Sequence, residues 1–319
     1  MNSLERVREG CRAVAESARH VRINHDLVPS YAASLSPALA ERPMLDPFSH
    51  YLGHGDGTVA FIITLDAINF GSGYFPHLRK RPGMSGYFTI ASSLTDLFAT
   101  RGPLSASDLL ELTADDCARI FAQDMSDPVI AELMELFSRA LSDLGSYLSE
   151  HFHGSFMELV EEANDSAARL VDILRVMPLF SDEERYRGIN VPFYKRAQIT
   201  ASDLALAFDG AGLGEFYDLD RLTIFADNMV PHVLRVDGIL SYDGDLLSRI
   251  ERGELIPAGS EEEVEIRACA VHAVEMIVEA MARAGNHVTA QQLDNILWNR
   301  GGNLRYKAIP RHRTRTPYY

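Results

Sequence analysis

Phe225-Ala226-Asp227 stands between two short apolar-periodic stretches, and a carboxylate at such a junction has chemistry open to it. Pro231 favours the first turn of a helix and Gly238 a stop, so 230–237 reads as a short helix. Leu219, Leu222 and Phe225, spaced by three, suit another helix over 218–226. Asp227 then lies at a helix–helix corner, hemmed in by Phe225, Val230 and Pro231. A carboxylate in so dry a place can stabilise positive charge or take up a proton. The competing reading is that Asp227 merely caps the second helix.

Other stretches carry weaker signals of the same kind. Tyr194-Lys195-Arg196 follows Pro192 and precedes a capping pattern, Thr200 to Asp203. Two cations and a phenol beside a helix start could clamp one phosphate, or form a solvated basic turn. Asp294 and Trp298 lie four apart on one helix face. An indole for stacking and a carboxylate for accepting N–H donors would suit a purine-like base; the alternative is a core Trp beside a surface Asp. Asp66 and Asn69 follow an apolar run and precede Gly71 and Gly73, as the edge of a binding site or a plain polar turn. His151 and His153 lack any HExxH-like helix or Cys cluster, so no metal and no cofactor are expected. No Gly-x-Ser-x-Gly elbow or P-loop occurs, which leaves serine hydrolase and NTPase readings unsupported.

The elements around these groups read as mostly helical. An amphipathic helix spans 3–22, with a Ser/Pro-rich loop to about 45 in which Leu35, Ala38 and Leu39 allow a turn or two of helix. Val59 to Leu65, a continuous apolar run, is expected to be a strand buried on both sides. Short helices are expected over 92–99, 107–112 and 113–122, and longer ones from Asp127-Pro128, over 157–177, from Ser260 to Gly285 and near 288–299. With no repeat and no separating linker, the chain reads as one domain over 1–319, mainly α with a small β element, residues 1–45 packing onto it.

The totals limit the partners. The 319 residues suffice for one large domain. A net charge of −15 argues against a nucleic-acid polymer, yet leaves room for a single nucleotide held by a local basic cluster. Cys11, Cys117 and Cys269 form no disulfide framework or metal spacing, which fits a reducing cytoplasm. No signal peptide or membrane-length apolar stretch is visible.

From His50 to Tyr319 the chain resembles the queuosine salvage family. The resemblance rests on Leu65-Asp66-Ala67-Ile68-Asn69-Phe70, Gly154-Ser155-Phe156, Phe193 to Gln198, Phe225-Ala226-Asp227, Glu263 to Arg267 and Leu297-Trp298. It implies a helical scaffold like that of the helix-hairpin-helix DNA glycosylases. It also implies hydrolysis of queuosine 5′-phosphate at its N-glycosidic bond, with release of queuine. By position, it makes Asp227 the catalytic carboxylate and puts Phe225 in the base pocket. It puts Asp294, Asn295, Asn299 and His50 in contact with queuine. Asn295 and Asn299 stand where Tyr and Asp are expected, and Asn228-Met229 where Tyr-Arg is expected. A glycosidase for another nucleotide, or a non-catalytic binder of the base, would present the same residues.

Overall fold

The computed structural model describes residues 2–35 and 43–319; the helical turn expected at Ala38 and Leu39 lies outside them. Helix α1 (Ser3–Ser17) is opened by reciprocal bonds between Asn2 and Glu5 and buries Leu4, Val7, Cys11 and Val14. It ends five residues before the expected 22. The N–H groups of Arg19, His20 and Val21 turn instead to one oxygen of Glu265, at 3.0, 2.6 and 3.0 Å. That turn feeds β1 (Val21–Ile23), which pairs antiparallel with residues 240–242. Helix α2 (Val28–Leu35) follows.

The strand expected at 59–65 is a helix, α3 (Asp56–Ala67), in which every residue from Thr58 to Ala67 is buried. A helix enclosed on all sides needs no polar face, so its sequence has no 3.6-residue stripe and cannot be told from a buried strand by periodicity. The next helices are α4 (Gly86–Arg101), α5 (Ala106–Glu111) and α6 (Ala114–Ile120), capped by Ser85, Ser105 and Thr113. Asp127 caps α7 (Pro128–His151). The single helix expected over 157–177 is two, α8 (Phe156–Glu161) and α9 (Ala167–Leu174). Asn164 and Asp165, at φ of 47° and 53°, break it with left-handed backbone that short polar side chains tolerate.

A hairpin, β2 (Glu183–Tyr186) and β3 (Ile189–Pro192), leads into α10 (Lys195–Ala207). The chain then passes to α11 (Met229–Val236), β4 (Leu240–Tyr242), α12 (Gly244–Glu251), α13 (Glu261–Arg283), α14 (Ala290–Gly301) and α15 (Leu304–Lys307). The fold is thus mainly helical, with two short two-stranded sheets. One continuous apolar core runs from Leu4 to Tyr306. Residues 311–319 then re-enter the body. The Gly71 N–H donates to the Tyr319 carbonyl at 2.9 Å. A Cβ at Gly73 would lie 2.1 Å from the Thr314 carbonyl oxygen, so the absent side chain leaves room for this segment.

Candidate active site

The expected helix over 218–226 is only a single turn, Leu219–Arg221, and residues 222–226 belong to neither helix nor strand. Long-range side chains replace the helical bonds. Gln198 accepts from the Thr223 N–H at 2.8 Å and donates to the Thr223 hydroxyl at 2.8 Å. Asp294 accepts from the Phe225 N–H at 2.9 Å, and Arg267 Nε donates to the Ala226 carbonyl at 2.9 Å. Every backbone group so held is buried, and each finds its partner from another element.

This segment delivers Asp227 to the start of α11. One oxygen, Oδ1, accepts from the N–H groups of Met229 and Val230 at 2.7 and 3.2 Å. The other has no protein hydrogen bond among the described residues. Asp227 is therefore both of the things its position suggested: a cap through one oxygen and an available carboxylate through the other. Burial pushes its pKa up, while Lys195 and the two amides oppose the shift.

Lys195 is presented by an unusual turn. Tyr194, at φ 50°, is a left-handed residue at the head of α10, and its neighbours' N–H groups converge on Asp182. The turn sends consecutive side chains apart. Tyr194 donates its hydroxyl to Glu183, whereas Lys195 Nζ donates to the carbonyl and the side-chain oxygen of Asn69, at 2.9 and 3.2 Å. Arg196 donates to the Ala67 carbonyl, and its guanidinium lies between the rings of Phe70 and Phe180, 4.8 and 4.6 Å from their centres. Of the expected basic cluster, Lys195 is the member beside Asp227. The capping pattern read at Thr200–Asp203 falls inside α10, where the Thr200 hydroxyl bonds the Arg196 carbonyl at 2.8 Å.

Asp66, Asp203, Asp227 and Asp294 gather around the Lys195 ammonium. Asp66 is fully buried; one oxygen accepts from Asn69 at 3.2 Å and the other has no hydrogen-bond partner within 3.5 Å among the described residues. Burial raises the Asp66 pKa to about 7 and lifts Asp203 and Asp294 well above the carboxylate range. Lys195 is lowered, again by burial, against the pull of Asp227 and Asp66. Burial, with four acids sharing a single cation, favours the protonated carboxyl in this site.

An aromatic wall adjoins the acids. His50 joins the Asp46 carbonyl at 2.8 Å and the Tyr87 hydroxyl at 2.9 Å, and burial lowers its pKa. Tyr87 meets Trp298 edge-on at 6.2 Å between ring centres, and Asp203 and Asp66 both act on the Tyr87 hydroxyl. Asn295 and Asn299 differ from their neighbours: Asn299 is exposed and donates to Asn295 at 3.2 Å, on a flank of α14 away from Asp294. Phe225 is buried beside Asp227. Tyr87 is not marked by the sequence, and Asp203 reads there only as part of a helix cap. An acid within the small and apolar run Ala201 to Ala207 is nevertheless a visible anomaly.

Two surface hollows of ≈ 600 and ≈ 580 Å³ lie elsewhere, one beside Tyr147 and Glu158, the other beside His20 and His272. Neither holds a buried group of carboxylates, so volume alone does not locate the chemistry. His20, Glu261 and Glu265 have metal-ligand spacing, but Glu265 already accepts three backbone N–H groups and the Tyr186 hydroxyl.

The sequence profile of the queuosine salvage protein family matches residues 49–319. A protein of Sphaerobacter thermophilus named queuosine 5′-phosphate N-glycosylase/hydrolase is 42% identical over 97% of this chain and 96% of its own. Proteins of the same name from Dictyostelium discoideum and Mus musculus are each 32% identical, covering 100% and 98% of both chains. With its acids, lysine and aromatic wall placed on segments inside that match, the chain belongs to the queuosine salvage protein family.

Proposed function

We propose that this chain hydrolyses the N-glycosidic bond of queuosine 5′-phosphate, giving queuine and ribose 5-phosphate, with Asp227 as the catalytic carboxylate. The observation that carries the reading is the divided role of Asp227: one oxygen is fixed by two amides and the other is free in a buried site beside Lys195. Breaking the bond builds positive charge on the ribose, and a fixed carboxylate stabilises it most where water is scarce. The same free oxygen orients and deprotonates the attacking water. Water adds across the bond, its hydroxyl to the anomeric carbon and its proton to the departing base.

Queuine is a 7-deazapurine and has no N7 to accept a proton, so the leaving base must be stabilised along its polar edge. Asp66 with Asn69, Asp294 and His50 serve that edge, Phe225 and Trp298 supply apolar and stacking surface, and Asn295 and Asn299 serve the side arm at the rim. The acids with raised pKa values, Asp203 and Asp294, can donate a proton in a hydrogen bond as well as accept one. Lys195 tethers Asn69 and balances Asp227. Tyr194 and Arg196 hold the turn that presents Lys195 and so support the phosphate end of the site indirectly.

We place the whole chain in one domain whose helices share the arrangement of the helix-hairpin-helix DNA glycosylases, acting in the cytoplasm on a free nucleotide. No helix among the described residues is long and apolar enough to cross a membrane. The test is a panel of nucleosides and 5′-monophosphates, with free base followed by chromatography. Release of queuine from its nucleotide supports the reading. Equal release of guanine from guanosine 5′-phosphate would show a general nucleotide glycosidase, and release from none would show a binding protein.

A further inference from the structure

We propose that Arg311 is the anchor for the 5′-phosphate of the substrate, an assignment that rests on the nucleotide-hydrolase reading of the Asp227 site. The buried cations around the site differ in what they already hold. Lys195 is bonded to both oxygens of Asn69, Arg196 to the Ala67 carbonyl, and Arg267 to both oxygens of Asp182 and to Ala226. Arg311 bonds no oxygen among the described residues; its one hydrogen-bond contact is with the Met229 sulfur, at 3.5 Å. It is largely enclosed, and Asp227 is the acid that acts on it. A guanidinium largely enclosed, still reached by solvent and with only a weak sulfur acceptor, has donors available to an oxygen-rich ligand.

The position is built. Arg235 donates to the Pro310 carbonyl at 2.6 Å, just before Arg311. The Arg313 carbonyl, just after it, accepts from the Ile256 N–H at 2.9 Å. The backbone is thus tied on both sides, and the side chain is aimed at the head of α11, where Met229 also donates its N–H to Asp227. The base-edge acids Asp66 and Asp203 act on Tyr87, whereas Asp227 is the acid that acts on Arg311. A nucleotide laid with its base among those acids and its anomeric carbon at Asp227 has its phosphate left to place. A dianion is repelled by the acid cluster and attracted by Arg311, the cation beside Asp227 that bonds no oxygen among the described residues. A guanidinium matches phosphate bidentately.

The experiment compares wild type with Arg311→Gln and Arg311→Lys on queuosine 5′-phosphate and on queuosine, and measures binding of ribose 5-phosphate by calorimetry. The ratio of kcat/KM for nucleotide over nucleoside should fall about ten- to hundredfold in Arg311→Gln and recover in part in Arg311→Lys. Ribose 5-phosphate should bind the Gln variant more weakly by a similar factor. Equal losses on both substrates, with unchanged sugar-phosphate binding, would make Arg311 a counter-ion of Asp227 and overturn the proposal. An unchanged ratio would place the phosphate elsewhere. If wild type releases no base yet binds ribose 5-phosphate through Arg311, the hydrolase reading fails and the anchor stands.

Discussion

Two groups of buried charges sit side by side in this protein and are built on opposite principles. In one, Arg267 donates to both oxygens of Asp182 at 2.9 and 2.6 Å, lies 3.7 Å from Glu263, and faces the rings of Phe193 and Tyr319 at 3.9 and 4.6 Å. Its donors are matched, and its pKa moves further up. In the other, Asp66, Asp203, Asp227 and Asp294 share a single lysine, an Asp66 oxygen has no hydrogen-bond partner among the described residues, and the ionised forms of acids and lysine alike are disfavoured. Burial is common to both, so burial does not distinguish a structural ion pair from reactive groups. Compensation does. The first group also holds the second in place: Asp182 gathers the turn that presents Lys195, and Arg267 fixes the carbonyl before Asp227.

The contrast is sharpest if each group loses one charge. Arg267→Met should destabilise the fold by roughly 3–5 kcal/mol, because Asp182 and Glu263 are left buried and unpaired. Urea denaturation checks this; an unchanged midpoint would mean that the matched group carries no structure. Asp227→Asn should do the reverse. Turnover should fall at least about a hundredfold while the unfolding free energy holds or rises, since the amide oxygen still caps α11 and a costly charge is gone. Parallel activity and denaturation measurements separate the two effects.

A third test uses pH. The Asp66 pKa is raised on folding, so the folded state binds a proton that the unfolded state has lost between about pH 4 and 7. Stability from this group is greatest below that window and declines as pH rises through it, by up to about 1.4 kcal/mol per pH unit. Asp66→Asn should flatten the decline; an equal slope in the variant would show that Asp66 does not carry the proton. The smallest effect is expected on the flank of α14. Asn299→Ala removes an exposed amide bonded only to Asn295, so stability should change by less than about 0.5 kcal/mol and kcat by less than about twofold. A large loss of turnover would bring the rim of the site into the chemistry.

Much of the site was legible because its residue types are odd where they stand. Asp227 between apolar stretches, Lys195 after Pro192, and Asp294 near Trp298 each departed from what a plain helix surface needs. Capping patterns fixed helix starts at Asp127 and Ser260 because a cap is a local bond among neighbouring residues. The family resemblance then supplied roles that spacing left open.

What the amino-acid order determined by itself was whatever rests on contacts within a few residues: many helix starts, and the presence of stray charged residues in apolar surroundings. Tertiary structure decided the rest. It made 56–67 a helix by enclosing it, and kept 222–226 out of a helix by offering Gln198, Asp294 and Arg267 as partners from distant elements. It also sorted the basic cluster, turning Lys195 toward Asp227 while Tyr194 went to Glu183 and Arg196 to Ala67. A hydrogen bond between residues far apart in the chain leaves no periodicity in either segment, and the free energy of a buried charge depends on neighbours that only the folded chain assembles.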